Sequence, residues 1–525
     1  MFPSVWTCVV WLEHVLAIST LLWMAIRVYR HGFMKTVGTF LLRTVRAMPG
    51  VGGMVNRQLE TYADGMMRDN FAEVDSFEAT TTLPKQRTDP DKVLQQVLAM
   101  RQCDVDGEKG QTFAYIYSIG EQHNRMLKEI YNSCCQTNAL NPTAFPSLRK
   151  MEVEVVAMAC NLLHGDSDTC GTMTSGGTES IMLAVKTYRD RAREMFPHIT
   201  EPEMVLPISA HPAFEKAGSF LDVKRVYARV DPETFAVSVQ EMESLITRNT
   251  IFLVGSAPQY PQGVMDPIEA LSEIALRHRL PLHVDACVGG FLLPWVKKLG
   301  FMDEKFDYEL PAVTSISLDV HKYGYSAKGA SVITYRNDDD YRRFQFFAYS
   351  QWPGGLFVSP SFAGTRAGGP IAGAWATLKA LGEEGYLENT KVVMEATHKM
   401  MDAVSAIPEL RILGRPRASL FAFTSEGVNI HAVADCMEKR GWRMERQQFP
   451  DCLHCSVTPP HLHTCSKFAN DLRESVEHVK KHPELSKTGN AAIYGTVARI
   501  PDGAVVEDFL TMFFRKVFRV SHCAQ

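Results

Sequence analysis

Lys322 and Asp285 lie 37 positions apart, and each closes an apolar, β-rich run. Lys322 stands in SLDVHKYGY (residues 317–325) and Asp285 in HVDACVGG (residues 283–290). A lysine amine can form a Schiff base with an aldehyde, and a carboxylate can keep a pyridine nitrogen protonated. A pyridoxal phosphate enzyme needs both groups. Within residues 281–286, the two-residue period of a strand sends His283 and Asp285 to one face and Leu282 and Val284 to the other. A buried carboxylate there requires a cationic partner, which a pyridinium ring supplies. The plain alternatives are an Asp that caps the next turn and a lysine that points to water.

A third feature precedes these two in the chain. The run Thr174-Ser175-Gly176-Gly177-Thr178-Glu179-Ser180 leads into a helical pattern with Ile181, Ala184, Val185 and Tyr188 on one face. Glycines allow close backbone approach to an anion, and the free N–H groups of a helix start hold phosphate. Alone, the same run also reads as a glycine-rich turn before a surface helix. His211, in SAHPAF (residues 209–214), follows another strand-like run, where a flat ring could stack on a cofactor. Cys452, His454 and Cys455, followed by His461, His463 and Cys465, have spacings seen at zinc sites. Strand alternation sends Cys452 and Cys455 to opposite faces, however, so no metal is expected.

Positioning these groups requires an α/β scaffold. From about residue 110 to 375, apolar runs at 204–208, 251–254, 281–286, 313–318 and 331–335 alternate with amphipathic stretches. That alternation predicts a mainly parallel sheet with ligands at the carboxyl ends of its strands. Asp89-Pro90 predicts a helix start, with an N-cap followed by proline at the first helical position. After residue 376 the pattern predicts a smaller α+β domain. The expected division is an anchor and basic linker (1–57), a helical arm (58–110), a cofactor-binding large domain (111–375) and a small domain (376–525).

The net charge of −4 gives no footprint for nucleic acid. Twelve scattered cysteines suggest reduced thiols and a cytosol-facing body. Residues 5–26 are largely apolar and long enough to cross a bilayer core of about 30 Å, although Glu13 and His14 fall near the middle. Arg27, Arg30, Lys35, Arg43, Arg46 and Arg57 follow, with no acid between Glu13 and Glu60. This charge pattern predicts a single-pass membrane anchor with the main body in the cytosol. A mitochondrial presequence is the competing reading.

The collinear stretches CGTMTSGGTESIM, SAHPAF, APQYPQGVMDP, HVDACVGGFLLP, TSISLDVHKYGYSAKGAS, QWPGGLFVSPSFAGTRAGG and GNAAIYG, with Asn138-Ala-Leu-Asn141-Pro142 before them, mark a resemblance. From about residue 80 to 520 the chain resembles the sphingosine-1-phosphate lyases. These are membrane-anchored members of the pyridoxal phosphate-dependent group II decarboxylase-like family, with the fold type I architecture. The resemblance implies Lys322 as the Schiff-base lysine, Asp285 as partner of the pyridine nitrogen, Gly177 and Thr178 at the cofactor phosphate, and His211 on the ring. It also implies His321 near the cofactor, Ser359 reaching the cofactor phosphate of a neighbouring subunit in a homodimer, and Tyr117, Asn138 and Lys328 near the substrate. The implied reaction is retro-aldol cleavage of sphingoid base 1-phosphates at the endoplasmic reticulum membrane. Relatives are expected to carry a histidine near Asn141, and an asparagine there can hydrogen-bond but cannot act as an acid or base. An amino-acid decarboxylase on the same fold and a membrane-anchored pseudoenzyme are the competing functions.

Overall fold

The computed structural model describes residues 51–491 and 503–520. The apolar stretch 5–26, most of the basic linker and the last four residues of GNAAIYG lie outside the described residues. Two compact units emerge. One is Asp106–Ala491; the other joins described residues 51–105 to 503–520.

The larger unit is built on a seven-stranded sheet. Its strands are β1 (Cys170–Thr174), β2 (Glu203–Pro207), β3 (Lys224–Ala228), β4 (Thr250–Ser256), β5 (Leu282–Asp285), β6 (Val313–Leu318) and β7 (Ser331–Tyr335). Their spatial order is β1-β7-β6-β5-β4-β2-β3. Strands β3, β2, β4, β5 and β6 pair in parallel, and β7 runs antiparallel to both β6 and β1. Every residue of β4, β5 and β6 is buried. Such burial is typical of a sheet covered on both faces, and it explains the nearly continuous apolar runs in the sequence. Leu282 and Val284 join one core cluster, whereas the His283 ring packs edge-on against Phe214 of another. The two faces of β5 therefore separate as its alternation predicts.

A short hairpin, β8 (Phe347–Tyr349) with β9 (Phe357–Ser359), follows. The next sheet is antiparallel and has the order β10-β11-β13-β12, formed by Leu410–Ile412, Leu420–Ser425, Cys452–Ser456 and Glu445–Gln447. The 38-residue helix Gly368–Ser405 serves both cores. Ile371, Ala374 and Leu378 enter the large core, and Ala396, Met400 and Val404 enter the small one. Between these segments Gly382, at φ 54°, breaks the helical geometry in a conformation that glycine tolerates best. Residues 375 and 376 fall inside this helix.

In the second unit, Asp89 accepts from the Asp91 N–H at 2.8 Å and opens the helix Pro90–Met100. The helices Val51–Asp75 and Gly503–Val517 are tied by an ion pair between Lys516 and Asp64. Among the described residues, no helix is long and apolar enough to cross a membrane.

Candidate active site

Strand ends and one helix start converge on Lys322. Strand β5 ends at Asp285, β6 ends one residue before Asp319, and β1 ends at Thr174 beside the helix Gly177–Met195. β1 and β6 each run antiparallel to β7, so their carboxyl ends share one edge of the sheet. The chain leaves β6 through a turn in which Lys322 N–H donates to Asp319 O and Tyr325 N–H donates to Lys322 O. Tyr323 and Tyr325 are buried, and Tyr323 Oη donates to Val457 O at 2.7 Å. The turn is thus pinned immediately after the lysine.

Lys322 Nζ lies 2.8 Å from Asp319 Oδ2, and His321 Nε2 lies 3.7 Å from the same oxygen. Burial opposes the lysine's charge, but the field of Asp319 outweighs it and raises the lysine pKa. Burial likewise opposes ionisation of Asp319, yet Lys322 and His321 hold its carboxyl below the usual range. Sequence reasoning assigned no role to Asp319. Its signal was present as an acid three residues before the lysine, at the exit of a buried strand.

Asp285 Oδ1 accepts from Cys287 N–H at 3.0 Å and from Ser317 Oγ at 3.2 Å. Ser317 has one hydroxyl hydrogen, so it accepts from its other neighbours, Cys287 Sγ and His283 Nε2, each 3.4 Å away. His283 Nδ1 is 2.7 Å from Ser315 Oγ, and burial pulls its pKa down to about 4. A neutral histidine therefore lies behind the carboxylate. These serines come from the adjacent strand β6, in register across the β5–β6 pair. No local sequence pattern announced them.

Gly177 packs against the same floor. A Cβ at this position would meet Cys287 Sγ at 2.7 Å and both Asp319 carboxylate oxygens at 3.0 Å. The preceding Gly176 provides no side-chain cap, and Thr178 follows in the first turn. The first-turn N–H groups thus lack helical acceptors, the arrangement that binds anions.

Lys328 Nζ donates to His321 O at 3.2 Å and sits 4.8 Å from the centre of the Tyr117 ring. Burial and repulsion from Lys322 pull its pKa down to about 8. Tyr117 meets Tyr323 edge-on at 5.1 Å; burial raises its pKa while Lys322 opposes the rise. His211 Nδ1 accepts from Ala213 N–H at 3.1 Å. Burial lowers the His211 pKa against the opposing field of Asp285, so the imidazole lies within electrostatic reach of the carboxylate. Tyr260 also feels Lys322 and Tyr117 and packs on His454 at 4.2 Å, a neighbour that sequence reasoning did not single out.

Three expected site residues are engaged elsewhere in this chain. Ser359 Oγ donates to Ser361 O at 2.9 Å and lies 3.3 Å from Ala363 O. Asn138 holds the 365–367 segment, with Oδ1 accepting from Arg366 N–H at 3.1 Å. Asn141 Oδ1 accepts from Thr143 N–H, Thr143 Oγ1 and Ala144 N–H, closing its own turn. A cavity of about 310 Å³ opens between these segments and the helix start, lined by Ser175, Glu179, Lys328, Ser361, Thr365 and Arg366. Cys452 packs with Phe235 and Ala422, whereas Cys455 belongs to the cluster of Phe421 and Phe468. The C-x2-C pair is thus split across β13.

Residues 78–426 match the pyridoxal-dependent decarboxylase conserved domain. The chain belongs to that family. It is 38% identical to sphingosine-1-phosphate lyase 1 of Rattus norvegicus over 489 residues, covering 92% of this chain and 85% of the rat protein. It is 35% identical to the sphingosine-1-phosphate lyase of Saccharomyces cerevisiae over 508 residues, covering 95% and 84%. Among solved structures it resembles the Burkholderia pseudomallei sphingosine-1-phosphate lyase, with TM-score 0.74 and 41% identity over 78% of this chain and 95% of that one. Lactobacillus brevis glutamate decarboxylase, at 18% identity and TM-score 0.68 over 77% and 96%, shares the fold. This chain is therefore a family member of the sphingosine-1-phosphate lyase type.

The residues present suit the cofactor in the family's description. The helix start offers uncapped N–H groups for a phosphate, and Gly177 lets it sit directly on the strand ends. One oxygen of the buried Asp285 carboxylate is fixed by two donors, leaving the other for a ring nitrogen.

Proposed function

We propose that this protein is a pyridoxal phosphate-dependent carbon–carbon lyase that cleaves sphingoid base 1-phosphates into a long-chain aldehyde and phosphoethanolamine. The observation that carries the proposal is the pairing of two lysines within electrostatic reach of each other, each in a different electrostatic state. Lys322 is held charged by Asp319, whereas Lys328 is cationic only below a pKa of about 8. A decarboxylase needs one reactive lysine, but a substrate with its own phosphate also needs a second cation. The bound cofactor supplies the aldehyde that captures the substrate amine and the electron sink that accepts the C2–C3 bonding pair.

The chain's own residues prepare these events. Lys322 must lose a proton before its amine can react, and Asp319 Oδ2, at 2.8 Å, positions the ammonium and favours its charged form. Ser317 and the Cys287 N–H orient Asp285 so that its negative charge keeps the ring nitrogen protonated. Gly177 and Thr178 would hold the cofactor phosphate through the helix start, and His211 and His321 would lie beside the cofactor. Lys328 binds the substrate phosphate. Cleavage requires the C3 hydroxyl proton to leave, and Tyr117 Oη and Lys328 Nζ are the titratable groups beside it. Asn141 contributes a hydrogen-bonding turn but no proton transfer.

Residues 5–26 form a single-pass anchor in the endoplasmic reticulum membrane, with the catalytic unit in the cytosol, and two copies form a homodimer in which Ser359 reaches the cofactor phosphate of the neighbouring subunit. The support is the apolar run with its basic flank and the exposed aromatic side chains of the hairpin around Ser359.

The test is to incubate the purified protein and its Lys322→Ala variant with a sphingoid base 1-phosphate and identify the products by mass spectrometry. Aldehyde plus phosphoethanolamine from the wild type alone is the expected result. Release of carbon dioxide from an amino acid instead would replace this reading with a decarboxylase.

A further inference from the structure

Helix Gly503–Val517 and residues 518–520 present an apolar stripe that no described residue of their compact unit covers. Leu510, Phe514 and Phe518 recur every four residues and are 49%, 54% and 83% exposed. The Phe514 and Phe518 rings are 6.1 Å apart, forming a continuous aromatic edge beside a groove of about 1060 Å³. The opposite side is anchored: Phe509 is buried and Lys516 pairs with Asp64. Arg515, Lys516 and Arg519 line the groove with a single acid, Glu60, whereas the acids of this helix, Glu507 and Asp508, lie toward its other end. Apolar and cationic character therefore coincide at the carboxyl-terminal end.

We propose that this end of the chain is a membrane-surface contact, lying on an anionic bilayer with Leu510, Phe514 and Phe518 at the acyl boundary and Arg515 and Arg519 at the headgroup phosphates. Charge complementarity selects this occupant. A second copy would bring Arg515 and Arg519 against identical cations, but an anionic leaflet neutralises them. The helix also packs on Val51–Asp75, whose first residues close the acid-free stretch from residue 14 to 59 with its six arginines and lysines. Cationic sequence thus leads into the helix on which the stripe-bearing helix packs. Long basic side chains can extend past an apolar edge to reach phosphates, so the two residue types act on one surface. This proposal rests on the membrane reading of the chain and adds a contact separate from residues 5–26.

The full-length protein is reconstituted into phosphatidylcholine vesicles with or without phosphatidylserine and recovered by flotation. A photoreactive side chain at the stripe (Phe518→p-benzoylphenylalanine) is then activated, and adducts are mapped by mass spectrometry. The expected result is lipid adducts at residue 518 that increase with phosphatidylserine and fall in high salt. Adducts should fall on the order of fivefold for each cation removed in Arg515→Gln and Arg519→Gln. A Phe514→Ser/Phe518→Ser variant should show a raised KM on vesicle-borne substrate and an unchanged KM in detergent. Adducts to a second protein copy, or none in protein that floats, would overturn the proposal alone. Protein that does not float would overturn it together with the amino-terminal anchor. Product formation in detergent reports on the lyase reading separately from either outcome.

Discussion

The Lys322 turn and the Cys452–Cys455 strand look alike in sequence, since both place reactive side chains at short spacing. The fold treats them in opposite ways. Lys322 follows the end of a parallel strand, where the backbone leaves the sheet; Asp319 and Lys328 share its turn, and Asp285 and Gly177 approach from separate elements. Cys452 and Cys455 lie inside an antiparallel strand, whose pleat sends one into each of two apolar clusters. Buried histidines sharpen the contrast. His283 and His454 are both fully buried, and burial pulls each pKa down to about 4. His283 reaches the Asp285 carboxylate through Ser317, whereas His454 contacts Ser456, Pro261 O and the Tyr260 ring. A perturbed pKa therefore does not identify a site without a charge partner at a strand end.

Substitutions in the two regions should separate accordingly. Asp285→Asn removes the charge that holds the ring nitrogen and is expected to lower kcat by about 10²–10³-fold. The visible spectrum should show the cofactor still bound; an unchanged kcat would remove Asp285 from the mechanism. Lys328→Met should raise KM by about tenfold or more, because a charged hydrogen bond to phosphate is lost. The wild type carries the Lys328 cation below pH 8 and loses it as pH rises, so its KM should climb above that value. In the variant this limb should be absent, and a matching limb in both proteins would assign the titration to another group.

On the antiparallel side the effects should be smaller and confined to stability. Cys455→Ala opens a small void in a buried cluster and is expected to cost about 1 kcal/mol, with kcat unchanged. Stoichiometric zinc that disappears in this variant would erase the contrast between the two regions. Asn141→Ala removes the acceptor of one exposed turn and should cost below about 1 kcal/mol by thermal unfolding. A collapse of kcat in that variant would mean that Asn141 acts in catalysis.

Much of the scaffold could be read in advance because its signals are local. The run 313–318 became β6 and 331–335 became β7, and Asp89-Pro90 opened a helix as their spacing predicts. Lys322, Asp285 and the glycine-rich turn stood out because each ends or begins an element, a position visible in the hydrophobic period. Ser315 and Ser317 did not stand out, although His283 depends on both, because their role arises from the register between β5 and β6.

Sequence alone therefore determined the elements, their faces and the residue types available for chemistry, since periodicity and capping act over a few residues. Tertiary structure alone decided which distant groups meet: Ser317 with Asp285, Gly177 with Cys287, and Lys328 with Tyr117. The physical reason is that electrostatic and packing energies depend on distance in space, and strand order and register set that distance between residues far apart in the chain.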